Sequence, residues 1–167
     1  SYNDLFTETV YGSLYAYDVG YVEETNMVPG MGYWLAFTNE GFDILTGEEI
    51  SQVTIALSEG WNLLSGISSV VSVNSINDPQ EILVPGTLYG FEAGYYGSTF
   101  LEAGKGYWIY ASMDGEITID NGLPRNRVTF DDLTSEANSI CINGQELFFG
   151  FDIPQDYPHS YKLPPVP

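Results

Sequence analysis

Residues 13–37 read SLYAYDVGYVEETNMVPGMGYWLAF, and residues 87–111 read TLYGFEAGYYGSTFLEAGKGYWIYA. At a constant offset of 74 the likeness extends, without a gap, over the 31 positions 11–41 and 85–115, of which 11 are identical. The identities are Gly12/Gly86, Leu14/Leu88, Tyr15/Tyr89, Gly20/Gly94, Tyr21/Tyr95, Thr25/Thr99, Gly30/Gly104, Gly32/Gly106, Tyr33/Tyr107, Trp34/Trp108 and Gly41/Gly115. Most fall on glycine or aromatic residues, the types that shape turns and cores, so the chain is read as a duplicated unit.

Each copy reads as short strands. Alternation places Tyr15 and Tyr17 on one face of a first strand, with Tyr89 and Phe91 matching them in the second copy. A turn comes next at Asp18-Val19-Gly20 or Glu92-Ala93-Gly94, expected to supply the positive-φ position of a tight reversal. The G-x-G-Y-W segment then opens a strand that is apolar on both faces, with Tyr33, Leu35 and Phe37 on one and Trp34 and Ala36 on the other. That pattern predicts a strand covered on both sides. Further strands are expected at 53–57, 61–65, 116–120, 127–130, 139–142 and 146–151, with Asn143-Gly144 as a hairpin turn. In 116–120, Ile117 and Ile119 should face inward. One helical turn is expected at 78–83, with Asp78 as N-cap, Pro79 in the first helical position and Glu81 closing a capping box. Residues 152–167 carry Pro154, Pro158, Pro164, Pro165 and Pro167 and read as an extended, proline-rich arm.

Composition agrees with the strand pattern. The chain has 167 residues, of which only 16% are charged while 15% are aromatic, and glycine occurs 18 times. It is too apolar for a disordered chain and too poor in Lys and Arg for a helical bundle. Acids outnumber bases 23 to 4, a formal charge of −19. Such a charge repels a phosphate backbone and anionic lipid, which argues against nucleic acid and membrane surfaces as partners. No apolar run reaches the roughly 18 residues of a membrane helix. Cys141 is the only cysteine, so an internal disulfide and thiolate zinc sites are excluded. The chain opens at Ser1 with neither initiator methionine nor signal-peptide pattern, as expected of a processed or excised segment.

The combination L-Y-x-Y-D-x-G-Y, P-G-x-G-Y-W and G-W-N-L (Gly60-Trp61-Asn62-Leu63) resembles the repeat modules of large secreted surface proteins of Bacteroidota and related bacteria, often exported by type IX secretion. The stretch from Gly144-Gln145-Glu146-Leu147 to Lys162-Leu163-Pro164-Pro165 is similar to the segment on the C-terminal side of those modules. The resemblance covers the chain from about Leu14 onward and implies an extracellular or cell-surface setting, with a structural or adhesive role. A unit of that family begins with a G-W-N-L strand and runs on to G-Y-W. The second unit does so, from Gly60 to Trp108, whereas the first would need its G-W-N-L before Ser1.

Residues able to carry chemistry are few. His159 lies between Pro158 and Ser160 in the arm, a poor place for a general base, and is expected to be solvated. Cys141 sits between Ile140 and Ile142 with no base nearby and is expected to be a small buried residue. The acid pairs Glu23-Glu24, Glu48-Glu49 and Asp131-Asp132 fall on strands, where neighbours diverge, or on turns; Asp120-Asn121-Gly122 is too short for a calcium loop. Gly104-Lys105-Gly106 lacks the spacing of a phosphate loop, and Met31 stands in the lysine's place in the first copy. No catalytic residue, metal ligand or cofactor is therefore assigned. Tyr21, Tyr95 and Tyr96, beside the glycine turns, are the candidate sugar-stacking residues. Tyr15, Trp34, Trp61, Tyr89 and Trp108 are assigned to the repeat core.

These observations predict an all-β fold, a sandwich or partly open barrel with pseudo-twofold internal symmetry, comprising residues 1–151 with an arm at 152–167. The expected function is non-enzymatic: a structural or assembly module on the outside of a bacterium, such as a self-associating filament subunit, with a carbohydrate-binding adhesin module as the alternative. A unit without its G-W-N-L strand should present an open sheet edge. Either 146–151 of the same chain or a segment of a neighbour would fill it. The proline-free stretch 2–10 is the most strand-like loose end, and the arm is a second candidate to wrap a neighbour.

Overall fold

Glycine-punctuated apolar runs become twelve short strands among the described residues: β1 (Tyr15–Tyr17), β2 (Tyr21–Glu23), β3 (Gln52–Leu57), β4 (Gly60–Ser65), β5 (Val71–Ser72), β6 (Tyr89–Phe91), β7 (Tyr95–Gly97), β8 (Phe100–Leu101), β9 (Gly106–Ala111), β10 (Gly115–Asp120), β11 (Asn138–Ile142) and β12 (Gln145–Phe149). The structure is a computed structural model and describes residues 1–122, 132–142, 145–153 and 159–165. The chain is all-β, 37% strand and 6% helix. Its central sheet has the order β4-β9-β6-β7; β1-β2, β3-β10, β5-β8 and β11-β12 form two-stranded sheets. None of these sheets closes on itself. The expected strands at 53–57, 61–65, 116–120, 139–142 and 146–151 all form with shifted ends. The one at 127–130 and the Asn143-Gly144 turn lie outside the described residues.

Alternation decides which side chains enter the core. In β10, Ile117 and Ile119 are buried, and β3 pairs antiparallel with it so that Ile55 faces Ile117. These residues join Leu64 of β4 and Tyr107, Ile109 and Ala111 of β9 in one apolar cluster, to which Ile76, Ile82 and Leu101 add. In β9 the two faces are both covered, as its sequence predicts: Tyr107, Trp108, Ile109 and Ala111 are all at most 1% exposed.

Hydrogen bonds recur at the offset of 74. Tyr15 pairs with Glu23 and Tyr17 with Tyr21; Tyr89 pairs with Gly97 and Phe91 with Tyr95. The Glu24 amide donates to the Leu14 carbonyl, as Ser98 does to Leu88, both at 2.8 Å. The Ser13 hydroxyl donates to the Val10 carbonyl at 2.6 Å, and that of Thr87 to Val84 at 2.7 Å. The amides of Val28 and Glu102 donate to the hydroxyls of Tyr33 and Tyr107, at 3.0 and 3.2 Å.

Five local expectations are corrected. Residues 78–83 form no helix: the Asp78 carboxylate takes the amides of Ile82 (3.0 Å) and Leu83 (2.9 Å), and Glu81 turns to φ 55° instead of closing a box. The same Asx capping chemistry that starts a helix here holds a turn. Residues 2–10 are no loose strand. Tyr2–Leu5 is a helical turn capped by Ser1 and Asp4, and Tyr2 is buried, its hydroxyl taking the Gly12 amide at 2.8 Å. The turn of the first hairpin supplies the expected positive φ, at Val19 (57°), whereas none of Glu92, Ala93 and Gly94 adopts it in the second. Cys141 is exposed, because nothing among the described residues covers its ribbon. His159 is half-buried and stacks on Tyr110, ring centroids 4.4 Å apart, since the arm lies against the sheet.

Candidate functional site

One difference between the two copies lies at the edge of the G-Y-W segment. In the second copy β9 is flanked on both sides: Trp108 pairs with Tyr89 of β6, while Ile109 and Ala111 pair with Asn62 and Gly60 of β4. In the first, Trp34 pairs with Tyr15, and Ala36 accepts from the Val10 amide at 2.9 Å. The counterparts of Ile109 and Ala111 are Leu35 and Phe37, whose amides and carbonyls have no hydrogen-bond partner among the described residues. Without a flanking strand, residues 32–37 make only isolated bridges and no regular strand. Trp34 and Tyr33 are half-buried and Phe37 is exposed, whereas their equivalents Trp108, Tyr107 and Ala111 are buried.

Beside this edge lies a cleft of about 820 Å³ lined by Phe6, Phe37, Phe42 and Leu45 among others. Phe6 and Phe37 meet edge to face at 5.9 Å. Phe42 and Ile44, on a stretch without regular structure, are 88% and 82% exposed. At the rim, the exposed Glu8 carboxylate is held below its usual range by hydrogen bonds from the Thr38 hydroxyl and the Asn39 amide, each 2.8 Å.

A second surface carries the candidate tyrosines. Trp108 packs against Tyr17 (4.7 Å) and Trp34 against Phe91 (4.9 Å), so each copy's tryptophan meets the other copy's first hairpin. Tyr21 and Tyr95 are brought together there, and both hydroxyls donate to one acceptor, the Pro165 carbonyl of the arm. Burial pushes the Tyr95 hydroxyl up to about 12, and raises that of Tyr21 as well; the neighbouring indoles of Trp108 and Trp34 act in the opposite direction, though their N–H groups make no bond of good geometry. Tyr96 is not part of this pair. Its ring covers Gly90 on the neighbouring strand, where a Cβ would collide with it; Ala16 and Val22 take these two places in the first copy.

The arm is anchored along its described length. The buried Ser160 hydroxyl donates to the Pro85 carbonyl at 2.6 Å, and the Tyr89 hydroxyl to the Ser160 carbonyl at 3.3 Å. Burial raises the Tyr89 hydroxyl's pKa. Tyr161 accepts the Leu133 amide at 3.0 Å and meets Phe151 edge to face. Residues 159–165 thus cover the aromatic face that holds Tyr89, Tyr95 and Tyr21. Of the assigned repeat core, Trp108 is fully buried, and Tyr15, Trp34, Trp61 and Tyr89 are half-buried, Trp61 meeting Trp108, Tyr89 and Tyr110.

Among the described residues no group of three or more His, Cys, Asp or Glu side chains converges to hold a metal ion, and no helix is long and apolar enough to cross a membrane. Sequence reasoning placed the two strands of the ribbon β11–β12 but missed the exposure of its apolar side chains. In it Ile140, Ile142, Leu147 and Phe149 share one face by strand parity and cross-strand register, and each is about half exposed. Compared with family models, curated proteins and solved structures, the chain matches none.

Proposed function

We propose that this chain is a non-enzymatic structural module of a bacterial extracellular surface, built from a duplicated unit with pseudo-twofold symmetry in two apposed layers, and that it works by associating with copies of itself. The observation that carries the reading is the open edge at Leu35 and Phe37, next to exposed Phe42 and Ile44, where the equivalent edge of the second copy is filled by β4. Unpaired edge groups beside apolar surface favour strand addition, which supplies hydrogen bonds and burial together. The extracellular setting rests on the resemblance of the G-Y-W and G-W-N-L motifs and on the acidic composition. Sedimentation across a range of concentrations, with negative-stain microscopy, tests the reading. Masses above 18.5 kDa that grow with concentration are expected; a strict monomer at the highest concentration overturns it.

The carbohydrate-binding alternative keeps one observation in its favour: two tyrosines of equivalent position, Tyr21 and Tyr95, share a surface. For them to stack on a sugar, residues 159–165 must first lift away. Saturable glycan binding lost on Tyr95→Ala would promote that reading. No turnover of esters, peptides or glycosides is expected, with or without calcium, and activity abolished by a single Asp or Glu substitution would contradict the non-enzymatic assignment.

A further inference from the structure

Self-association by itself leaves open which surfaces meet, and the pairing inferred below rests on that reading. The receiving edge specifies its occupant. It must be extended, antiparallel to residues 35–37 as β4 is to β9, apolar on a covered face, and free of charge where it crosses the edge. Several strands of the chain have a free edge, but their side chains are largely committed to the core: Ile55 and Leu57 of β3, Ile117 and Ile119 of β10 and Leu101 of β8 are buried. The ribbon β11–β12 is the exception. All five residues of β11 are exposed, and Ile140, Ile142, Leu147 and Phe149, which share one face, are each about half exposed.

We propose that the ribbon β11–β12 of one copy docks on the open edge at Leu35 and Phe37 of the next. Among the described residues of a single chain both surfaces stay unsatisfied: the ribbon's apolar side chains are about half exposed, and the amides and carbonyls of Leu35 and Phe37 are unpaired. A second copy satisfies both at once. Charge selects the same pair of surfaces. The chain carries −19, which opposes most approaches of one copy to another, yet residues 32–37 and 138–142 contain no Asp, Glu, Lys or Arg. Those two segments bring no like charges together, and salt that screens the remaining repulsion, including that of Glu8 beside the edge and Glu146 in β12, should strengthen assembly. Because the two surfaces differ, the contact is heterologous: each copy offers one ribbon and one edge, so copies add head to tail into a ring or an open filament.

Complementation tests the pairing. One variant, Ile140→Lys with Leu147→Lys, charges the ribbon face and leaves the edge intact. Another, Phe37→Lys, charges the edge and leaves the ribbon intact; both alter exposed side chains, and near-ultraviolet circular dichroism of the tryptophans checks their folding. Each alone should stay monomeric at concentrations about tenfold above those at which the unaltered chain assembles. Mixed in equal amounts they should form a one-to-one complex and stop there. A ribbon variant that assembles like the unaltered chain overturns this inference while leaving self-association standing; a monomeric unaltered chain removes both. Hydrogen exchange on the unaltered chain gives a test free of substitutions. The amides of Leu35 and Phe37 should gain protection in the assembled state, and unchanged exchange there rejects the proposed contact.

Discussion

Gly30 and Gly104 occupy the same position in the two copies and have nearly the same backbone, φ 87° and 76°, so an alanine is strained at either. Their surroundings differ. A Cβ on Gly30 would come within 2.9 Å of Ile55 and Val53 in the core, whereas one on Gly104 meets nothing within 4 Å. Gly104→Ala is therefore expected to cost about 1 kcal/mol, the strain of the left-handed conformation. Gly30→Ala should cost about 1–3 kcal/mol more from overpacking. Chemical denaturation of the two variants checks the order, and equal losses would contradict it. Tyr95 sets a pH dependence. Its hydroxyl is held protonated up to about 12 where an ordinary tyrosine ionises at 10.0, chiefly because burial disfavours the phenolate. Below the ordinary value both the folded and the unfolded chain are protonated and the contribution to stability is whole. It is lost as pH rises toward about 12, since the unfolded chain ionises first. An absorbance titration should show a group of late phenolates, Tyr21, Tyr89 and Tyr107 being raised as well, and Tyr95→Phe should remove one of them together with the anchor on Pro165.

At the scale of elements, the two G-Y-W segments show how one motif acquires two structures. Residues 106–111 become a regular strand because β4 lies along one edge and β6 meets the other; residues 32–37 have the same motif, lack the flanking strand and form only bridges. The energetic consequence is an asymmetry between equivalent tryptophans. Trp108 is 1% exposed, and Trp108→Ala is expected to cost about 3–5 kcal/mol. Trp34 is half-buried, and Trp34→Ala should cost roughly half as much in the isolated chain. If the edge is covered on assembly, the gap between the two should narrow in the assembled state, which thermal unfolding at low and high concentration measures.

For the whole molecule, net charge and apolar exposure pull in opposite directions. A charge of −19 keeps copies apart in dilute, low-salt solution, while the apolar ribbon and edge draw them together once that repulsion is screened. Light scattering against salt concentration should therefore rise steeply, with the midpoint moving to lower salt as protein concentration increases. Assembly that weakens with added salt would mean ion pairs hold the copies, contrary to the apolar contact inferred from the ribbon and edge.

Strand content, the buried parity of Ile117 and Ile119, and the matching of residues 11–41 to 85–115 were legible in the residues themselves. Each depends on local periodicity and on the placement of glycine and aromatic side chains, which act over a few positions. The same local logic misread 78–83 and 2–5, where Asp78 and Ser1 form similar capping bonds but the surrounding chain decides whether a helix forms. The two strands of the ribbon and an open edge were expected as well, but which residues stay uncovered lay beyond it. Whether Leu35 finds a strand beside it, whether Ile140 finds a core, and that the Pro165 carbonyl meets both Tyr21 and Tyr95, depend on contacts between residues as many as 144 positions apart. Such contacts are made by the packed molecule, not by the neighbours of any one residue, and only the tertiary structure decides them.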